Sequence, residues 1–103
     1  MGSALPSSAD TDHYMLRLYV TGSTKRSTLA IETMRDICDT YLKNRNDFQV
    51  VDLYQNPEAA AREQIIAVPT LIRHFPGPLR RVIGDLSDRK RVLATLGVRV
   101  DNE

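Results

Sequence analysis

The chain has 103 residues, 26 % charged and 42 % hydrophobic, with 14 Lys and Arg against 13 Asp and Glu. That length holds one domain with a modest core, and the near-even charge excludes a global field able to gather nucleic acid or an anionic membrane. The single cysteine, Cys38, excludes an intrachain disulfide and a cysteine-rich metal site, and it fits a reducing cytoplasm.

Residues 1–12 (MGSALPSSADTD) lack the basic start and apolar core of a signal peptide and read as a disordered leader. No apolar run approaches the roughly 20 residues of a membrane span. One domain is expected over residues 13–100, with 101–103 as a short tail. Tyr14 to Val20 (YMLRLYV) is apolar except at Arg17, which predicts a strand covered on both faces. Gly22 ends it, and Gly22 to Thr28 (GSTKRST) reverses the chain. From Ser27 the apolar residues Leu29/Ala30/Ile31, Met34, Ile37/Cys38 and Tyr41/Leu42 form one helical stripe. Asn44 to Asp47 breaks that pattern, and Phe48 to Tyr54 (FQVVDLY) predicts the second strand.

Asn56-Pro57-Glu58 predicts a helix start with Asn56 as the cap and Pro57 in the first position. Ala59 to Ile66 continues that helix, and Val68-Pro69 stops it. Thr70 to Phe75 predicts a third strand, Pro76-Gly77-Pro78 a rigid turn, and Leu79 to Ile83 a fourth strand ended by Gly84-Asp85. Ser87 is placed to cap a last helix, Asp88 to Leu96, with Gly97 as its stop. The order is βαβαββα. The first two strands are expected parallel with a right-handed crossover, and the last two as an antiparallel hairpin. This is a thioredoxin-like α/β layout: a four-stranded mixed sheet with helices on both faces.

The strand-to-helix turn is the place to look for chemistry. GSTKRST lacks the second glycine of a phosphate loop. A thioredoxin-type enzyme needs a low-pKa thiolate at the start of the first helix; Thr24, Lys25, Arg26 and Ser27 stand there instead. Cys38 lies on the apolar stripe and reads as a buried structural thiol. His13 and His74 read as surface residues, and no His, Cys or carboxylate grouping has metal-ligand spacing. Asp52, in an apolar strand, needs a structural partner or a strand-end position. Basic residues gather at Arg73, Arg80-Arg81 and Arg89-Lys90-Arg91; a pairing of the third and fourth strands brings Arg73 and Arg80/Arg81 together. An acidic protein surface suits such a patch better than nucleic acid, given few aromatics for stacking. No catalytic, metal or cofactor site is expected.

YMLRLYVTGSTKRS, VVDLYQNPEAA, AVPTL, FPGPLRRVIGDLSDR and KRVL together resemble the circadian clock KaiB family over about residues 14–97. The stretch from Pro76 to Ser87 is the most specific part. The resemblance implies a binding protein without catalysis that docks on the ATPase ring of a KaiC-type hexamer and, in a full clock, captures KaiA. It also implies self-association as a tetramer in one fold and a thioredoxin-like monomer in another. Two packings separated by a small free-energy gap are compatible with a short, proline-punctuated C-terminal half, and Pro69, Pro76 and Pro78 offer a slow isomerisation step.

Carried over by resemblance, Arg80 and Arg81 match the family's paired arginines and Arg73 a basic position upstream. They are expected at a partner or subunit contact, as are the exposed Lys25 and Arg26. Gly84, Asp85 and Ser87 match the link into the last helix. Where the family has Gly-Leu-Asp, this chain has Thr95, Leu96 and Gly97, and Thr95 favours a continuing helix by up to about 1 kcal/mol. Gln49 and Gln55 replace family lysines, which takes charge from a binding face and weighs against KaiA capture. Two other readings stand beside this one: a free-standing relative of the thioredoxin-like sensor domain of clock histidine kinases, and a redox or glutathione-using enzyme.

Overall fold

A computed structural model describes residues 13–98. The leader 1–12, the domain's last residues 99–100 and the tail 101–103 lie outside them. The elements are β1 (Tyr14–Val20), α1 (Lys25–Tyr41), β2 (Asn46–Asp52), α2 (Glu58–Arg62), β3 (Thr70–Phe75), β4 (Arg80–Ile83) and α3 (Arg89–Leu96). The sheet order is β2-β1-β3-β4, with β1 parallel to β2 and antiparallel to β3, and β3 antiparallel to β4. This is the thioredoxin-like arrangement expected from the element order.

Side chains alternate across the sheet, so each strand feeds two layers. Leu16, Leu18 and Val20 of β1, Leu71 of β3 and Val82 of β4 point to one face, where Met34 and Ile37 of α1 and Val92 and Leu96 of α3 close the main core. Burying each such side chain stabilises by about 1.5–3 kcal/mol. The opposite face carries a smaller cluster of Tyr19, Leu53, Ala59 and Ile72, covered by α2. Since α2 has only five residues, it covers one end of that face. Met15 near the other end is 38 % exposed, so β1 is enclosed on both sides only toward its C-terminal end.

Local chemistry moves several boundaries. α1 starts at Lys25 rather than Ser27, because Thr24 Oγ1 accepts from the Ser27 amide at 3.1 Å as its N-cap. β2 begins at Asn46, since Asn44 turns the chain in the left-handed region (φ 64°). β2 ends at Asp52 rather than Tyr54: the Asp52 carboxylate accepts from the Gly22 amide at 3.2 Å and the Tyr54 amide at 2.9 Å. This is the structural use expected of Asp52. It clips β2 to the β1–α1 turn.

α2 stops at Arg62, four residues before Ile66. Gln64 adopts a left-handed conformation (φ 55°) and the Ile65 amide reaches back to the Ala60 carbonyl at 2.8 Å, a Schellman ending with glutamine in the usual glycine position. Its N-cap position falls on Pro57, without a side-chain cap, so Asn56 does not act as expected. β4 begins at Arg80 rather than Leu79. In α3 the cap is Asp88, whose carboxylate accepts from the Arg91 amide at 3.2 Å, and Ser87 lies one residue before it. Gly97 ends α3 in the left-handed region (φ 75°), as its position predicts. Helix α3 runs through Thr95.

Candidate interaction surface

Strand directions decide which loops meet. The C-terminal end of β1 lies beside the N-terminal end of β3 (Tyr19 opposite Thr70), and Thr70 lies opposite Ile83 at the end of β4. One end of the sheet therefore gathers the β1–α1 turn, the segment after β2, the approach to β3 and the β4–α3 loop. The Gly84 amide donates to the Pro69 carbonyl at 3.0 Å and joins the last two. Open α/β sheets tend to bind their ligands at the carboxyl ends of their parallel strands.

The turn from Gly22 to Thr28 is built for chain reversal. Gly22 has φ 64°, and a Cβ there would stand 3.1 Å from the Tyr54 ring. Lys25 and Arg26 follow, both exposed, and among the described residues neither forms an ion pair. Large apolar side chains stand open at this end: Tyr54 at 75 %, Ile66 at 86 % and Leu29 at 45 % exposure. Periodicity alone did not mark them. It placed Leu29 on the helical stripe, Ile66 inside α2 and Tyr54 inside β2, and no sequence signal separates these from core positions.

Across a cleft from Lys25 and Arg26 lies the β4–α3 loop. Asp85 accepts from the Ser87 amide at 2.9 Å. Hydrogen bonds from Ser87 hold its carboxyl below the usual range, with Arg26 and Arg91 adding to the effect. On the opposite sheet face, burial and then the Glu63 carboxylate raise the Tyr19 phenol. Burial pushes the Cys38 thiol up to about 11, so at neutral pH it is a protonated, inert packing group. Among the described residues, no three His, Cys, Asp or Glu side chains are grouped to hold a metal ion. None of their helices is long and apolar enough to cross a membrane.

The chain matches the KaiB domain over residues 17–98. It belongs to the KaiB family. The circadian clock oscillator protein KaiB of Synechococcus sp. (strain CC9311) is 46 % identical over 88 residues, 85 % of this chain and 74 % of that protein. KaiB of Prochlorococcus marinus (strain MIT 9303) is 44 % identical over 88 residues, again covering 85 % and 74 %. Among solved structures, the N-terminal domain of Synechococcus elongatus SasA superposes with a TM-score of 0.66 at 21 % identity, covering 93 % of this chain and 94 % of that one. Mitochondrial thioredoxin 3 from Saccharomyces cerevisiae gives 0.68 at 13 % identity, covering 86 % and 81 %. These two establish the fold alone.

In this KaiB-family chain the residues singled out from the sequence do not form one patch. Lys25 and Arg26 lie at the loop end. Gln49 is exposed on β2, one edge of the sheet, while Arg80 and Arg81 lie on β4, the other edge. Arg80 is exposed, whereas Arg81 donates to the Glu63 carbonyl at 2.9 Å beside α2. Arg73 does face Arg80 across the hairpin, but it is 6 % exposed and turned inward. Its guanidinium donates to the carbonyls of Leu96, in the last turn of α3, and Pro78, the latter at 2.8 Å. Arg73 is thus part of the interior and not of a solvated basic face. Pro69 is buried just before β3, Pro76 and Pro78 shape the β3–β4 turn, and Gly84 starts the loop into α3 with φ 96°. His13 is exposed and His74 half-buried.

Proposed function

We propose that this KaiB-family chain is a non-catalytic regulatory protein of the clock, timer or stress-response kind, acting in the cytoplasm by docking on the ring of a KaiC-type hexameric ATPase. The observation that carries the reading is identity of 46 % over 85 % of the chain with a circadian clock oscillator protein. The loop end supports it physically. Open apolar side chains and the exposed cations Lys25 and Arg26 at this end describe a surface suited to another protein. The residues at the redox position of the fold are spent on folding, since Thr24 caps α1 and Ser27 donates to it.

In the full proposal the chain also self-associates as a dimer or tetramer and exchanges with a second packing of its C-terminal half. Pro69, Pro76, Pro78, Gly84 and Thr95 then belong to the segment that changes. Arg80 and Gln49, on opposite edges, serve separate contacts, and KaiA is captured only where Gln49 suffices in place of lysine. A second reading, an adaptor akin to the sensor domain of clock histidine kinases, draws on the likeness to the SasA N-terminal domain.

Mixing the protein with the KaiC-type ATPase of its own genome and ATP, and following the mixture by native mass spectrometry for hours, tests both. Slow loading of several copies onto the ring is the expected result, because a sparsely populated competent state reduces apparent affinity by its fraction. Immediate binding by a monomer favours the adaptor. No complex in any nucleotide state overturns docking. Turnover in an insulin-reduction or glutathione-transfer assay that survives Cys38→Ser would overturn the non-catalytic reading.

A further inference from the structure

A cleft of about 340 Å³ separates the first turns of α1 from the β4–α3 loop, lined by Lys25, Arg26 and Leu29 on one side and Asp85, Leu86 and Ser87 on the other. Residues 26 and 29 lie three apart and 25 and 29 four apart on the helix, so both cations stand over the half-exposed Leu29 side chain. The opposing Asp85 is already engaged by Ser87 and lies within the field of Arg26 and Arg91. Among the lining residues, two cations (Lys25 and Arg26) thus face one carboxylate, Asp85, which already accepts from the Ser87 amide. Enclosed metabolite sites run to about 300–1,000 Å³ and bury most of their ligand. This cleft is at the small end of that range and open to solvent, so it fits side chains presented by a chain segment.

We infer that the cleft between α1 and the β4–α3 loop receives an acidic, aliphatic segment of the protein partner, with an apolar side chain on the half-exposed Leu29 and flanking carboxylates on Lys25 and Arg26. The inference deepens the docking proposal and rests on it for the partner's identity, but the segment's chemistry follows from the cleft. Charge at such a rim sets association rate and salt dependence, and the apolar floor sets residence time.

Two experiments separate the cleft from the docking reading. In the first, a peptide of alternating leucine and acidic residues is titrated into the isotope-labelled protein and followed by NMR, with an Asn/Gln counterpart as control. Shifts are expected to cluster on Lys25, Arg26, Leu29 and Leu86, to vanish with the neutral peptide, and to be lost in Leu29→Ser or Lys25→Glu/Arg26→Glu. No shifts at millimolar peptide, or shifts centred on β2, overturn the inference. In the second, ring binding is compared for wild type, Lys25→Glu/Arg26→Glu and Lys43→Glu, the last an exposed charge reversal beyond the far end of α1. The double reversal is expected to weaken binding by about tenfold or more, and Lys43→Glu by less than about twofold. Equal binding by wild type and the double reversal overturns the cleft while docking stands. A seated peptide with no ring binding by wild type does the opposite.

Discussion

Replacing Arg73 tests whether the buried guanidinium holds the C-terminal half together. Two of its hydrogen bonds run to main-chain carbonyls on separate elements, Leu96 in α3 and Pro78 in the β3–β4 turn. A hydrogen bond involving a charged group contributes roughly 1.5–3 kcal/mol net, and a cation at a helix C-terminus gains further from the dipole. Against this stands the cost of taking the guanidinium out of water, several kcal/mol per buried ion. The sites of the two carbonyls decide the balance. Pro78 is exposed, so water replaces the lost donor there; Leu96 is fully buried, so its carbonyl loses a partner that water replaces poorly.

Arg73→Met keeps the stem's volume and removes the charge, and is expected to destabilise by about 1–3 kcal/mol, the cost of one under-satisfied buried acceptor. Arg73→Lys retains a cation with one directed bond and is expected to lose about half as much. In urea, with a slope of about 1–2 kcal/mol per M for a domain this size, the methionine variant's midpoint falls by about 1 M. Native-state hydrogen exchange places the loss in α3 ahead of β1 and β2. A methionine variant as stable as wild type, or more stable, would refute the reasoning, because desolvation would then outweigh the hydrogen bonds.

Three smaller effects follow from other contacts. Gly97→Ala is expected to cost about 1 kcal/mol or more by thermal unfolding, because φ is 75° and a new Cβ would stand 3.1 Å from Arg73 Nη1. Arg89→Ala breaks an ion pair with Asp36 that joins α3 to α1, but both side chains are nearly half exposed; the expected loss is under about 1 kcal/mol and disappears at high salt, and a salt-independent loss would contradict the assignment. Cys38 is expected to label with Ellman's reagent only on unfolding. Since burial raises its folded value from 9.0 to about 11, its contribution is full below pH 9 and is lost as the pH rises through about 11. Cys38→Ala is therefore expected to flatten the alkaline fall in stability, and rapid labelling of the native protein would show the thiol to be accessible.

The order of the elements was legible because each carries its own punctuation: the near-continuous apolar run of β1, the stripe of α1, and Gly97 after α3. Boundaries slipped where an unusual residue did a common job. Gln64 closes α2 in glycine's place, and the Asp52 carboxylate ends β2 by binding two amides. The candidate surface was less legible. Arginine at 73 looks like arginine at 80 in a sequence, but acceptors that include the Leu96 and Pro78 carbonyls draw Arg73 inward. Conversely Ile66 looks like core, and only the early end of α2 leaves it in solvent. The exposure of Lys25 and Arg26 was legible from their position alone, because a strand-to-helix turn has few ways to bury two adjacent long cations.

The position of β1 has a bearing on synthesis. It pairs with β2 from the first half of the chain and with β3 from the second. On a ribosome, the β1-α1-β2 unit can form as soon as residue 52 has emerged, yet the other edge of β1 stays unpaired until Thr70 to Phe75 follow. For that interval the nascent chain presents an open, mostly apolar strand to its neighbours, the kind of edge through which growing chains pair with one another. A pause in translation between residues 53 and 69 would lengthen the exposure, and a separately made fragment carrying β3 and β4 would have a ready place to dock.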